Sequence, residues 1–331
     1  MRHLAANALT VLIVLALALA VAIGWGVQRF SGPGPLEAPV EVAIPSGATI
    51  QRASTILQEA GAVSDARLFR VGARYLDLDR RIQAGEFEIP AGASMRDVLQ
   101  CLVDQSTCRR VTYPITVAEG LTSWQVVELL RAAEVMTGEI AEVPAEGTLA
   151  PDTYLVTRGD DRAALIRRMQ AAQSRILAEA WAGRAEGLPI STPEEALILA
   201  SIIEKETAIA EERGTVAGVF VNRLKRGMRL QTDPTVIYGV TEGRGVLGRG
   251  LRRSELDALT PWNTYRIDGL PPTPIANPGR ASIEAAVRPE ETRYLYFVAD
   301  GTGGHAFAET LAEHQRNVTR WRRIEAERAN Q

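Results

Sequence analysis

The chain has 331 residues, 46% of them hydrophobic and 23% charged, a globular composition that excludes a disordered or collagen-like protein. Its 37 basic and 40 acidic residues give a net charge of −3, which argues against a nucleic-acid partner. Three scattered His (His3, His305 and His314) and two Cys make no recognisable metal motif, so no metal is expected.

From His3 to Gln28 there is no acidic residue, Lys or Arg, and Ala8–Val27 is almost wholly apolar. At about 1.5 Å per residue that stretch spans about 30 Å, the thickness of a bilayer's hydrocarbon core. Arg2 precedes it, Arg29 follows it, and Trp25 lies near its far end, where an interfacial aromatic is favoured. Residues 1–30 therefore read as a cytoplasmic tip and a single transmembrane helix in the inner (plasma) membrane. An amino terminus on the cytoplasmic side places the rest in the periplasm or its equivalent. A cleaved signal peptide is the alternative, with small-x-small sites at Ala18-Leu19-Ala20 and Ala20-Val21-Ala22, but the apolar run continues past both. Residues 31–39, with three Pro and two Gly, read as a linker.

A small α+β module is expected over residues 40–108. Val40–Ile44 alternates as a strand, and Pro45-Ser46-Gly47 turns the chain. Ile50–Ala60 shows helical spacing with Gly61 as its stop, and Asp65–Tyr75 is a second helix. Glu86–Ile89 is a strand, and Ser94–Val103 a third helix capped by Ser94 and Asp97. This piece carries no catalytic constellation. Outside the cytoplasm Cys101 and Cys108 can form a disulfide, worth at most ~2.5 kcal/mol by loop entropy; two free thiols are the alternative.

Residues 109–331 form a larger mixed α+β domain with the chemistry. Tyr113–Val117 is a strand, Ser123–Ala132 a helix, Glu146–Tyr154 a loop, and Ala163–Ala182 a long helix. The next helix starts at Thr192 with Pro193 in its first position and Glu195 completing a capping box. Ala196–Ile203 then holds one polar residue, Ser201, and a helix apolar on every face is a buried one. Glu204 ends that run, close to the line of Leu197, Ala200 and Ser201, while Glu206 points to the opposite side. An ordinary Glu carboxyl is protonated in about one molecule in 500 at pH 7. A desolvated one with a pKa near 6 would be protonated in about one in ten, as a glycosidic general acid requires. The competing reading makes Glu204 the first wet residue at the helix end.

Thr215–Arg226 is a further helix, stopped by Gly227. In the Gln231–Thr235 segment, Asp233 before Pro234 reads as a helix cap, or aims with Gln231 into a cleft. Glu242–Arg253 is a Gly- and Arg-rich loop, either solvated or facing an anionic substrate. Pro261–Pro278 has five Pro, and Trp262, Asn263 and Tyr265 there offer the stacking and amide bonds that sugars take; a core Trp and a satisfied Asn are the alternative. Asn277-Pro278 caps a helix through Val287, Tyr294–Val298 and His305–Ala308 form a hairpin, and Thr310–Arg328 is the closing helix. Both His305 and His314 read as structural.

Five segments in order resemble the endolytic murein transglycosylases of the MltG/YceG type: Ala196–Thr207 (ALILASIIEKET), Val216–Leu224, Met228–Gly239, Trp262–Gly279 and Tyr294–His314. The resemblance extends over nearly the whole chain and makes the small module LysM-like. It implies cleavage of peptidoglycan glycan strands between N-acetylmuramic acid and N-acetylglucosamine, leaving a 1,6-anhydro end. It also implies no cofactor, a membrane-anchored terminator of strand elongation, and peptidoglycan synthases as partners. The family's catalytic Glu maps to Glu204; Gln231, Asp233, Trp262, Asn263 and Tyr265 are candidates for substrate positioning. The chain departs from the family at Thr148 and Ala150, where aromatics are usual. A non-catalytic wall-binding scaffold and a muramidase using both Glu204 and Asp233 are the competing functions.

Overall fold

The computed structural model describes residues 2–45, 47–104 and 108–329, without the side chains of residues 2–8 and 329. Ser46 of the expected turn, His3 and Arg2 as side chains, and residues 105–107 inside the Cys101–Cys108 loop lie outside that description. The chain divides into two compact units, residues 1–113 with 155–160, and residues 114–154 with 161–331.

In the first unit, α1 (Arg2–Ser31) is followed by β1 (Val40–Ile44), α2 (Ile50–Glu59), α3 (Ala66–Tyr75), β2 (Gly85–Ile89), α4 (Met95–Val103) and β3 (Arg109–Arg110). The strands form one antiparallel sheet in the order β1-β2-β3, with Val42 opposite Phe87 and Glu88 opposite Arg109. Alternation in β1 and β2 turns Val42, Ile44, Phe87 and Ile89 inward onto Leu57, Phe69, Leu99 and Leu102 of the helices. Thr49, Asp65 and Ser94 cap α2, α3 and α4, and the Ser94–Asp97 box is closed from both sides.

The unit's limits differ from the expected ones at both ends. Residues 31–39 are not a free spacer: Gly34 N–H donates to Gly92 C=O at 3.0 Å and Gly92 N–H to Leu36 C=O at 2.9 Å. The helix that precedes them also enters the core through Phe30. At the other end β3 and Tyr113 stay with the module, because Arg110 pairs opposite Phe87 and the Tyr113 hydroxyl donates to Glu86 at 2.6 Å. The Glu86 carboxyl is held below its ordinary range, chiefly by that tyrosine and by Arg158. Cys101 and Cys108 are joined by a disulfide with Cα atoms 5.1 Å apart.

The second unit holds most of β4 (Tyr113–Val117) and β5 (Asp152–Val156), which pair as a two-stranded sheet, and α5 (Ser123–Ala132) between them. Residues 152–156 were expected to begin as loop; Tyr154 and Val156 are buried in the β alternation instead. Then come α6 (Arg162–Ala182), α7 (Pro193–Glu206), α8 (Arg213–Lys225), α9 (Asp233–Thr241), α10 (Arg253–Asp257) and α11 (Arg280–Val287). The hairpin of β6 (Tyr296–Ala299) and β7 (His305–Ala308) and the final α12 (Leu311–Ala329) complete the chain.

The core of this unit is α7. Every residue from Ala196 to Ile203 is buried, against Val216, Ala217 and Phe220 of α8 and Ile283, Ala286 and Val287 of α11. Ser201 is accommodated because its hydroxyl donates to Ile198 C=O at 2.7 Å and accepts Ile275 N–H at 3.0 Å. Thr192 is the cap as expected, but Glu195 reaches back to Ser191 N–H, not to the cap's own amide. His305 pairs with Glu212 at 2.7 Å and His314 stacks on Tyr296, both structural roles.

Cys101→Ser with Cys108→Ser is expected to cost the first unit about 2 kcal/mol, leaving the second unit's transition in place. Thermal unfolding with and without reductant checks this: the wild-type protein should lose the same increment when reduced.

Candidate active site

Glu204 sits where the buried α7 comes to the surface. It is half-buried, and its Oε2 accepts the backbone N–H of Gly279 at 3.0 Å. Gly279 is the N-cap of α11, so the carboxylate meets the positive end of a helix. Neither Asn277 nor Pro278 caps α11 as expected, because Asn277 has a different task. Its side chain is wholly buried; Oδ1 accepts Leu149 N–H at 2.9 Å, and Nδ2 donates to Leu121 C=O at 3.0 Å. Its main chain adds Gly120 N–H to Asn277 C=O at 3.0 Å and Asn277 N–H to Leu121 C=O at 2.8 Å. Three loops are thereby tied together beside Glu204.

Those loops bring two further carboxyl groups that sequence reading missed. Glu119 is exposed, and its carboxyl leans over Gly279, where a Cβ would overlap it. Desolvation first, and the charge of Glu204 second, push the Glu119 carboxyl up, with Arg213 pulling weakly the other way. Lys205, next to Glu204, donates through Nζ to Gly120 C=O at 3.2 Å and so pins the Glu119 loop to the end of α7. Glu146 accepts Ser123 N–H at 2.7 Å and the Tyr238 hydroxyl at 3.3 Å; burial is the main reason its carboxyl is raised. The only hint in the sequence was the Gly that follows each of these acids, a turn signal with no chemistry of its own.

Glu206 looks to the other side of α7, as its spacing requires, and bonds the Thr232 hydroxyl. Burial raises its carboxyl, and the charge of Asp233 adds to the effect. Thr232, not Asp233, is the cap position of α9. The Asp233 carboxylate is exposed and accepts the Tyr265 hydroxyl at 2.6 Å. Gln231, with a left-handed φ of 50°, is also exposed, its N–H donating to Thr264 C=O at 3.1 Å. Gln231, Asp233 and Tyr265 thus share one rim.

Asn263 and Trp262 are committed elsewhere. Asn263 is fully buried, with Nδ2 donating to the carbonyls of Glu255, Leu256 and Ala258 and Oδ1 accepting Tyr265 N–H. Its amide orders the Pro-rich loop and has nothing left for a ligand. Trp262 is half-buried against Tyr238, ring centroids 5.6 Å apart, and its indole N–H donates to Thr273 at 3.0 Å. At the two positions lacking the family's aromatics, Ala150 is buried and Thr148 bonds Ala145 C=O, so neither side chain offers a stacking face. In the Arg-rich loop, Arg249 is paired bidentately with Glu255, whose carboxyl it draws down to about 2. Among the described residues there is no group of His, Cys, Asp and Glu able to hold a metal.

A family model described as the YceG-like family matches residues 42–320. The chain belongs to the YceG-like family. A Bacillus subtilis relative named endolytic murein transglycosylase is 30% identical over 308 residues, covering 84% of this chain and 83% of that protein. A Streptococcus pneumoniae protein of the same name is 29% identical over 325 residues, and the match spans 58% of its length. The crystal structure of a YceG-like protein from Listeria monocytogenes is 29% identical, superposes with a TM-score of 0.51, and is covered over 98% of its chain. The match takes in parts of both units of this YceG-like chain; residues 1–41, which include α1, and residues 321–331 lie outside it.

Two outcomes are expected at the site. Gly279→Ala should displace the Glu119 carboxyl and disturb the Glu204 bond, lowering turnover about a hundredfold while the circular-dichroism spectrum is unchanged. A carboxyl raised by folding binds more protons folded than unfolded just above the ordinary carboxylate range. Folded stability is lost as pH rises through that window and stays lost above it. Glu119→Gln should therefore raise the melting temperature of the second unit at pH 7 and leave it unchanged at about pH 3, where both states are protonated.

Proposed function

We propose that the chain is an endolytic murein transglycosylase that cuts nascent peptidoglycan between N-acetylmuramic acid and N-acetylglucosamine and leaves a 1,6-anhydro end. The observation that carries the reading is Glu204, fixed at the mouth of a wholly buried helix by the Gly279 amide, in a chain whose relatives bear that name. In the first half of the reaction the Glu204 carboxyl gives its proton to the glycosidic oxygen as the bond to the muramic C1 breaks. In the second, the sugar's own C6 hydroxyl oxygen bonds to C1 and returns its proton to the Glu204 carboxylate. Atoms and charge balance without water, so no second carboxylate is needed to activate a nucleophile. The C6 hydroxyl is already tethered to the reacting ring, and proximity supplies much of the rate.

Gln231, Asp233 and Tyr265 form the rim along which a glycan strand would lie, and Asn263 holds the Tyr265 backbone behind it. The α1 helix, with Leu9–Ser31 long and apolar enough to cross a bilayer, is the single-pass anchor in the inner membrane. Its amino terminus is cytoplasmic, and the LysM-like module and the second unit are periplasmic. In that position the enzyme meets strands as synthases release them, and peptidoglycan synthases are its natural neighbours.

The test is product analysis. The full chain in detergent, given uncrosslinked glycan, should yield anhydro-ended fragments by mass spectrometry. Glu204→Gln should lower the rate at least about a thousandfold, the scale for losing a general acid. Reducing ends would instead identify a hydrolase, and absence of cleavage a wall-binding scaffold. Near-normal activity of Glu204→Gln would move the catalytic role to another group.

A further inference from the structure

The first unit has a groove of about 610 Å³ formed between α1, α3 and α4. One wall is Ala22, Ile23 and Val27 of α1; the other is Val71 and Tyr75 of α3, with Arg96 of α4 at the edge. The two walls are locked together. Phe30 of α1 is 6% exposed, and its ring lies so close over Gly72 of α3 that a Cβ there would overlap it. Helix α1 is therefore built into the module's core, and the tilt of one fixes the tilt of the other.

The depth of the groove follows from the length of α1. The apolar window begins at Leu9, and about 20 residues cross a hydrocarbon core of about 30 Å. The core then ends near Gln28, so Ala22, Ile23 and Val27 lie in its last two turns. Val71 and Tyr75 line the same groove and must lie at a similar level. They are one helical turn apart, share a face, and are 64% and 87% exposed. In water that pair is an apolar patch with no use; against acyl chains it is a contact. Trp25, 62% exposed on α1, marks the same interfacial zone. The exposed cation Arg96, in the lining of the groove, suits a lipid phosphate.

We propose that the groove between α1 and α3 is a phospholipid site: an acyl chain of the surrounding leaflet fills it, Val71 and Tyr75 are immersed at the headgroup boundary, and Arg96 meets the lipid phosphate. The module thereby lies on the bilayer in one orientation and does not swing on a tether. This rests on the reading of α1 as a membrane anchor, and the controls below separate the two.

The experiment places a nitroxide label, through Val71→Cys or Tyr75→Cys, on the full chain reconstituted at one copy per phosphatidylglycerol-containing nanodisc. The native cysteines are tied in their disulfide, so each label is unique. Ile23→Cys on the anchor and Val246→Cys, at an 86% exposed position of the second unit, are the references. The ratio of collisions with oxygen to collisions with a nickel chelate should be about tenfold higher at 71 and 75 than at 246 and should approach that at 23, as for an interfacial helix immersed about 5 Å or more. Values at 71 and 75 equal to those at 246, with 23 still in lipid, would overturn the proposal and leave the anchor standing. A water-like value at 23 would remove both. Weak collisions with both reagents at 71 and 75 would show that protein covers the groove, and would also overturn it.

Discussion

The site depends on the buried amide of Asn277. Loops 119–123, 145–149 and 275–279 belong to distant parts of the sequence; the first two carry Glu119 and Glu146, and the third carries the Gly279 amide that meets Glu204. One fully buried side chain bonds the first two loops, and its own main chain closes the third against them. A buried amide left unpaired costs on the order of 1–3 kcal/mol, so each of these bonds selects one arrangement of the loops over its neighbours. With that arrangement fixed, the Gly279 amide points at Glu204, and the absence of a side chain on Gly279 admits Glu119.

The second constraint is the burial of α7. A helix apolar on every side is rigid because all its neighbours are close-packed. Its one polar interior group, Ser201, is satisfied at both ends, and through Ile275 it also fixes the start of the loop that carries Asn277. The carboxylates at the end of the helix are consequently held by its whole length. Glu204 and Glu206 leave it on opposite sides and meet different partners, Gly279 and Thr232. Two acids two residues apart thus acquire different environments without any special backbone.

The first unit applies the same logic to orientation. A helix joined to its domain by a flexible tether says nothing about how that domain lies. Here the Pro- and Gly-rich residues after α1 are hydrogen-bonded to the Pro90–Gly92 turn, and Phe30 is part of the core. Composition alone suggested a spacer, because Pro and Gly mark irregular backbone whether it is free or fastened.

The sequence by itself determined most of the elements and the placing of Glu204 at the end of a buried helix. Alternation marked β1, helical spacing marked α2, capping residues marked α4 and α7, and the nearly unbroken apolar run Ala196–Ile203 identified the buried helix and put Glu204 at its end. These are local patterns, and local sterics and burial produce them directly. Tertiary structure decided what surrounds that acid. Glu119, Glu146, Asn277 and Gly279 have ordinary neighbours in the chain, and their roles come from contacts across some 75 to 160 positions. It also decided that Asn263 orders a loop and that Asp233 meets Tyr265, since a polar residue in an irregular segment can serve either backbone or ligand until its partners are known. Periodicity records which way a side chain faces along its own element; only the packed chain determines what it faces.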